Sequence, residues 1–500
     1  MANISFLFKK ESLLQSTGIV LIFSGLQRAI DMIRSIVFAR TLGPESYGTF
    51  TLAFLFLSII IPLACLGLPS CYTRYTPQYE KKGMVISFFK KTVKVSLVSA
   101  IIIMVLAFLF SASFSQMIYG ESRFYYLILI ASLAIVPNTL FESLQAFFGG
   151  LRVFKFYSLL DFSHRTLFTI FGITLLFLWK ASPEAPLLGF VLGMTASIIL
   201  FGYLLKREVA TWSQQKIMIS EGGFYKKMLK FSLWFTVTPI VFILFHYTDR
   251  LMLNRFLGLY EVGLYSVAVS LAQVLLFLGM VISSTLGPYV SNMWEHQEKT
   301  SVMFYLNLAS KVTVLLSLGI AMLITIFKTP ILSLLYGKEY LGASQLIPIL
   351  LILSIVNSVW WMMGHYVKLI ERTYVYFLVG IIGLVANVFL NIMLIDIYGL
   401  IGAAIASTLS FFIILSITLV FNLKYRFVVD LRTLLILGFT LILLLPPKLI
   451  ILAAGALVII CFKTSFILSY YEKTLIAKKI SLMYSGSQRY FKDIVPRVEP

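Results

Sequence analysis

Apolar stretches of about 20 residues, separated by short basic connectors, recur from one end of this 500-residue chain to the other. Each is long enough to cross roughly 30 Å of hydrocarbon as a helix. Composition agrees: 59% of the residues are hydrophobic and only 12% charged, about half the roughly 25% charged residues of a soluble domain. The chain therefore reads as an all-α polytopic membrane protein with about 14 transmembrane helices. They centre near residues 25, 59, 102, 135, 168, 195, 243, 275, 315, 355, 385, 411, 440 and 458. The last two runs are short, and Pro446-Pro447 between them leaves a re-entrant hairpin as the other reading. The first run is interrupted by charge and lacks a small-residue cleavage site, so it reads as a span and not as a cleavable signal.

A net charge of +20 raises the question of nucleic acid, and the distribution of charge answers it. With the N-terminus placed in the cytoplasm, 29 of the 41 basic residues fall on cytoplasmic segments and seven on the opposite side. The cytoplasmic set includes Lys90, Lys91, Lys94, Lys226, Lys227, Lys230, Lys299 and Lys311. Such a skew is the positive-inside rule, which predicts a multi-pass cell (inner) membrane protein with both termini cytoplasmic and no nucleic-acid partner. Lys463 lies near a span end and can snorkel. The four remaining basic residues, Arg28, Arg34, Arg165 and Arg250, all fall within spans.

The two halves of the chain match. Arg40 in ARTLGPESYGTFTLA aligns with Arg255 in NRFLGLYEVGLYSVA, and Leu42-Gly43 aligns with Leu257-Gly258, Gly48 with Gly263 and Ala53 with Ala268. Tyr119-Gly120 falls opposite Tyr336-Gly337, and Gly189 with Thr195 opposite Gly402 with Thr408; the offsets are 215, 217 and 213. Six spans return the chain to its starting side, so the halves form a parallel repeat, an arrangement found in secondary transporters. The organisation expected is an N-lobe over 1–205, a basic cytoplasmic linker over 206–230 and a C-lobe over 231–425. A trailing helix pair over 426–472 and a basic tail over 473–500 follow.

Within LQRAIDMIRSIVFAR, residues 26–40, positions 27, 28, 31, 34 and 35 follow helical spacing. Gln27, Arg28, Asp31, Arg34 and Ser35 thus form one stripe. Each charge at a span centre costs about 2.5–3.5 kcal/mol, and each Leu, Ile or Phe returns about 0.3–0.6 kcal/mol. This stripe cannot face lipid, so it faces a wet cavity or a partner helix. The structural reading is self-neutralisation, with Asp31 pairing Arg28 or Arg34 and Asp161 pairing Arg165. The functional reading is substrate binding by Arg28, Asp31, Arg34, Arg165 and Arg250, because arginine holds phosphate bidentately and keeps its charge. Asp249, His246, Asp161 and Glu142 are then candidates for coupling-ion binding or gating, since intramembrane ionisable residues are functional candidates by default. His246 falls opposite Asp31 in the repeat, and Asp249 opposite Arg34. Asn138, Gln145, His164, Asn357, Asn387 and Asn391 read as interhelical hydrogen-bonding groups. Trp360-Trp361 reads as an interfacial belt.

Chemistry of other kinds finds no residues to carry it. Cys65, Cys71 and Cys461 have no metal-ligand spacing, and neither a P-loop, a nucleophile triad nor a paired-carboxylate motif is visible. No cofactor is expected, and an integral-membrane polymerase or glycosyltransferase would need a larger extramembrane loop or a carboxylate cluster.

Four segments resemble the polysaccharide transporter family, which includes the O-antigen flippases of the multidrug/oligosaccharidyl-lipid/polysaccharide (MOP) exporter superfamily. They are ARTLGPESYGTFTLA, LGLPSCYTRYTPQYEKKG, YTDRLMLNRFLGLYEVGLYSVA and LYGKEYLGASQLIPILL, in the family's order, within residues 10–425. The resemblance implies two six-helix lobes plus two trailing helices. It also implies export of a lipid-linked oligosaccharide on a polyprenyl (di)phosphate, from the inner to the outer leaflet, for surface polysaccharide assembly. Polysaccharide polymerase and chain-length machinery would be partners. A multidrug or small-solute antiporter of the same superfamily is the alternative.

Overall fold

The computed structural model describes residues 13–209, 223–372 and 374–475. Among the described residues every regular element is helical and no strand occurs. In chain order the helices are α1 (Leu13–Cys65), α2 (Pro69–Lys81), α3 (Val85–Leu109), α4 (Ser111–Tyr119), α5 (Tyr125–Ser132), α6 (Ile135–Gly150), α7 (Phe154–Leu178), α8 (Glu184–Val209), α9 (Phe224–Phe256), α10 (Leu259–Glu295), α11 (Lys299–Ile326), α12 (Lys328–Leu335), α13 (Ile347–Leu369), α14 (Tyr374–Tyr398), α15 (Leu400–Lys424), α16 (Leu431–Gly438) and α17 (Pro447–Lys463). Residues 210–222 of the expected linker and 476–500 of the expected tail lie outside the described residues. The helical ends of α8 and α9 take up the rest of that linker.

Ten described helical runs are long and apolar enough to cross a membrane, or eleven if the bent pair 122–132 and 135–150 forms one span. The first run, Gly18–Lys81, is 64 residues long and contains both of the first two expected spans. Its break falls at Gly43, where φ is 74° and ψ 169°, a conformation open to glycine and costly for other residues. Pro44 follows at once and cannot complete the preceding helical bonding. The last two apolar helices, Leu431–Leu444 and Pro447–Cys461, are each only about 21–23 Å long at the usual helical rise, below the roughly 30 Å of a hydrocarbon core. A count of fourteen full spans is therefore not reached by length. Large apolar side chains stand open on the outer helix faces, Leu178 at 82% exposure, as lipid contact requires and water would not tolerate.

The chain divides into two compact units, one of residues 1–270, 333–342 and 391–403 and the other of residues 271–332, 343–390 and 404–500. In the first unit α7 and α8 approach backbone to backbone: a Cβ added at Gly189 would lie 2.4 Å from the Gly172 Cα. Phe38, Phe54, Phe168 and Phe190 fill the space between α1, α7 and α8, with ring centroids 4.9–5.9 Å apart.

The repeat is visible inside this unit, where its two copies touch at equivalent positions. A Cβ on Gly48 would meet the Leu259 carbonyl oxygen at 2.1 Å, and one on Gly263 the Pro44 oxygen at 1.9 Å. Thr51 and Ser266, 215 residues apart, share a hydrogen bond of 3.3 Å. The aligned arginines act reciprocally: Arg40 donates to the Leu334 carbonyl at 3.0 Å, and Arg255 to those of Gln116 and Met117 at 3.1 and 3.2 Å. Each guanidinium thus caps the carbonyl end of a short helix contributed by the other half.

In the second unit α13 is the central helix, with 83% of its most apolar stretch buried. Trp360, expected at the interface, is buried here and donates to Thr418 at 3.1 Å, because α13 is enclosed by its neighbours. Lys311, expected on a cytoplasmic connector, is wholly buried on α11. Its ammonium is hydrogen-bonded to Asp430 and, at 2.8 Å, to Glu472. Asn307, one turn earlier, accepts from the Asp430 backbone N–H at 3.0 Å and donates to the Val428 carbonyl at 2.8 Å. Ser469 and Glu472 form a reciprocal capping box, the Ser469 N–H donating to the Glu472 carboxylate at 2.7 Å. This arrangement ties the trailing segment to α11.

Candidate functional site

The stripe on α1 finds its partners on α7. There Ser158, Asp161, Arg165 and Thr169 recur at helical spacing, so two polar faces meet along two otherwise apolar helices. Asp31 is the centre. One carboxylate oxygen accepts from Arg165 at 2.5 Å and the other pairs with Arg34 at 2.7 Å. Arg165 also donates through Nε to Asp161 at 3.1 Å. Arg34 reaches the Thr169 hydroxyl at 3.4 Å, and its guanidinium lies 4.3 Å from the centroid of the Phe168 ring. Gln27 makes a long contact, 3.5 Å, to the Ser158 carbonyl.

Arg28 stands within electrostatic reach of Asp31, Arg34, Arg165 and Tyr336, and Glu142 within reach of Asp161 and Arg165. The cluster is half-buried: Asp31 and Arg34 are 15% and 17% exposed and Arg165 36%. Three arginines and three carboxyl groups are held close together where low dielectric strengthens every pairing.

The α9 residues bond partners of their own. Arg250 donates to the Ser266 hydroxyl at 3.0 Å and, at 3.4 Å, to the carbonyl of His246; it also lies over the Tyr247 ring. None of these partners is Arg28, Arg34 or Arg165. Asp249 is 3% exposed and accepts from the Tyr265 hydroxyl at 2.5 Å and from Asn391 at 2.9 Å. The neighbouring residues Asp249 and Arg250 thus turn to different partners, as their adjacency on a helix requires. His246, by contrast, has an exposed side chain. His164 is enclosed by Phe141, Phe168 and Phe190 and belongs to the aromatic core.

Sequence reasoning placed Ser35 on the stripe but missed the hydroxyl groups that it and Arg250 meet. Ser35 contacts the Tyr47 hydroxyl at 3.0 Å and donates to Ser270 at 3.3 Å; Ser266 serves Arg250 and Thr51. A signal existed, since Thr51 and Ser266 each stand two positions before the matched alanines Ala53 and Ala268. Tyr47 and Tyr265 carried none beyond the general abundance of tyrosine. Chemically, the α1–α7 cluster can exchange partners: a phosphate offers planar guanidinium groups the same bidentate geometry that Asp31 now supplies. Among the described residues no group of three or more His, Cys, Asp or Glu side chains is arranged to hold a metal ion.

Residues 13–294 match the family model described as "Polysaccharide biosynthesis protein", and residues 235–393 match the MatE model. An uncharacterized membrane protein of Methanocaldococcus jannaschii is 22% identical over 398 residues, 76% of this chain and 77% of that one. The probable low-salt glycan biosynthesis flippase Agl15 of Haloferax volcanii is 24% identical over 384 residues, 75% and 76% of the two chains. In fold the chain is similar to the lipid II flippase MurJ in an inward closed conformation. The TM-score is 0.69 at 17% identity, over 93% of this chain and 98% of that one.

Proposed function

The chain belongs to the polysaccharide biosynthesis protein family of the MOP exporter superfamily, and from that premise we propose that it is a flippase for a polyprenyl-(di)phosphate-linked oligosaccharide. The carrier and its glycan move from the inner to the outer leaflet by alternating access between two six-span lobes, with both termini cytoplasmic. The relative named a glycan biosynthesis flippase supports this reading. The observation that carries it is the binding of two arginines by the two oxygens of Asp31 inside an apolar bundle, with Arg28 at the same place.

In the absence of substrate the carboxylates hold Arg34 and Arg165 in place and neutralise them. The diphosphate takes the place of Asp31 between Arg34 and Arg165, which already converge on one point, and draws in Arg28 as a third partner. Asp161 and Glu142 take up the resulting change in charge. Asp249 and Arg250 form a second charged region, suited to gating or ion coupling and not to direct contact with the phosphates. The protein moves its substrate without covalent chemistry; the polymerase and chain-length machinery act on what it delivers.

The test is exchange of a fluorescent polyprenyl-diphosphate oligosaccharide in liposomes holding the purified chain, read by accessibility to an added quencher. Arg34→Ala and Arg165→Ala should each slow exchange roughly ten- to hundred-fold, the loss of one charge-assisted pair, while Arg250→Ala changes it less. Exchange no faster than in empty liposomes, with transport of organic cations instead, would establish the second reading, an antiporter. That reading rests on the match of residues 235–393 to the MatE model.

A further inference from the structure

Two ten-residue segments, FFKKTVKVSL (88–97) and FYKKMLKFSL (224–233), share phenylalanine, three lysines, serine and leucine at the same places. Their separation of 136 residues is unrelated to the repeat offset near 215, so they are not counterparts within the repeat. One begins three residues into α3 and the other opens α9. The structure brings them together by their own first residues: the rings of Phe88 and Phe224 pack edge to face with centroids 6.2 Å apart.

Tyr79 of α2 completes this seam, stacked on Phe88 at 4.6 Å and 6.2 Å from Phe224. Cys71 of α2 bonds the Met228 carbonyl at 3.6 Å. Within each segment the residue after the paired lysines is buried, Thr92 and Met228, as is the serine, Ser96 and Ser232. The same inward anchoring therefore turns both lysine sets outward. Lys90, Lys94, Lys226, Lys227 and Lys230 are exposed and Lys91 partly so, its ammonium 5.7 Å from the Phe224 ring.

We infer that these twin segments form one lysine platform that binds the phosphate headgroups of anionic glycerophospholipids at the membrane surface. Depth is the first argument. In both segments a span-length run without Asp, Glu, Lys or Arg begins right after the third lysine, which puts the lysines at headgroup level, where each is attracted to an anionic leaflet. Charge is the second. Neither segment contains Asp or Glu, and the five exposed lysines gather like charge on one surface, where anions screen it. The repeat is the third. Residues 303–312, at the repeat offset from 88–97, hold one basic residue, Lys311, and it is buried and paired. Insertion of this fold evidently does not demand such a set at that position. The lysines are spread over the ends of two helices, α3 and α9, so the surface fits several headgroups in a row and not a single diphosphate. This site is separate from the arginine cluster, and its test does not depend on transport.

The full chain in detergent is titrated with phosphatidylglycerol, phosphatidylcholine or polyprenyl diphosphate, and bound lipids are counted by native mass spectrometry. Wild type should take up several phosphatidylglycerols and little phosphatidylcholine. Changing Lys90, Lys91 and Lys94, or Lys226, Lys227 and Lys230, to Gln should weaken the anionic lipid by roughly five-fold per lysine. A control change of Lys424 and Arg426 to Gln should leave that binding within about two-fold of wild type. Unaltered phosphatidylglycerol binding in the variants, or equal loss in the control, overturns the assignment. So does a surface that retains a single polyprenyl diphosphate and ignores phosphatidylglycerol. Should a triple variant fail to fold, salt titration of wild type decides: binding that does not fall as ionic strength rises rules the platform out.

Discussion

Asp31 and Lys311 are opposite cases of a charge kept inside an apolar bundle. Asp31 holds two arginines and stays partly open, whereas Lys311 is closed in by two carboxylates. Removing one partner from a buried ion pair costs about 3–5 kcal/mol because the other charge is stranded. Asp31→Asn should accordingly lower the melting temperature in detergent, and added polyprenyl diphosphate should restore part of the loss by serving Arg34 and Arg165. Absence of any rescue would count against phosphate binding there. Lys311→Met should destabilise by about 3–5 kcal/mol, and combining it with Asp430→Asn and Glu472→Gln should recover most of that. At Asp430 burial pushes the carboxyl up, but the bonds from Lys311 and from the Arg432 backbone N–H outweigh it and hold it below the ordinary value. A lowered carboxyl contributes stability that is fully present above the unfolded value, about 3.9, and is lost as pH falls through the folded one. Melting temperature should therefore drop below about pH 4, less steeply in Asp430→Asn.

At the scale of helices, close approach is what the glycines provide. Gly48 and Gly263 let the two copies of the repeat meet with no side chain between them, and a Cβ at either would overlap a backbone carbonyl. Gly263→Val should prevent this packing, read as loss of monodisperse protein, while Gly319→Ala, at a position with open space, should be tolerated. The reciprocal arginines differ in what they hold. Arg255 makes two bonds to carbonyls and Arg40 one. At about 0.5–1.5 kcal/mol per bond, Arg255→Ala should lower stability more than Arg40→Ala, and thermal melts of the two variants compare them directly.

For the molecule as a whole, the membrane potential acts on whatever charge is moved. Outward transfer of a negative carrier from an inside-negative compartment gains about 2.3 kcal/mol per charge per 100 mV. Flipping in liposomes should then accelerate when an inside-negative potential is imposed on protein loaded from the inner side. If it is unchanged, the charge crosses already neutralised, by the protein's arginines or by a coupled ion. The exposed apolar faces and the lysine platform belong to this scale as well, since both have meaning only against a bilayer.

Helix, membrane and repeat were legible in the sequence because each is written in local pattern: apolar runs of span length, basic connectors, and motifs at a nearly constant offset. The charged stripe on α1 was legible for the same reason, being a matter of helical spacing. Its partners were not. Asp31 meets Arg165 across 134 residues of chain, and Lys311 meets Asp430 and Glu472 across 119 and 161. No local pattern encodes which of many polar residues a given helix face will meet. The separate partners of Arg250, the burial of Trp360 and Lys311, and the meeting of two lysine segments all depended on how helices pack. Sequence by itself determined that the chain is a repeated bundle of membrane helices carrying charge where lipid forbids it. Only the tertiary structure decided which charges neutralise one another, because pairing depends on distances of a few ångströms between residues far apart in the chain.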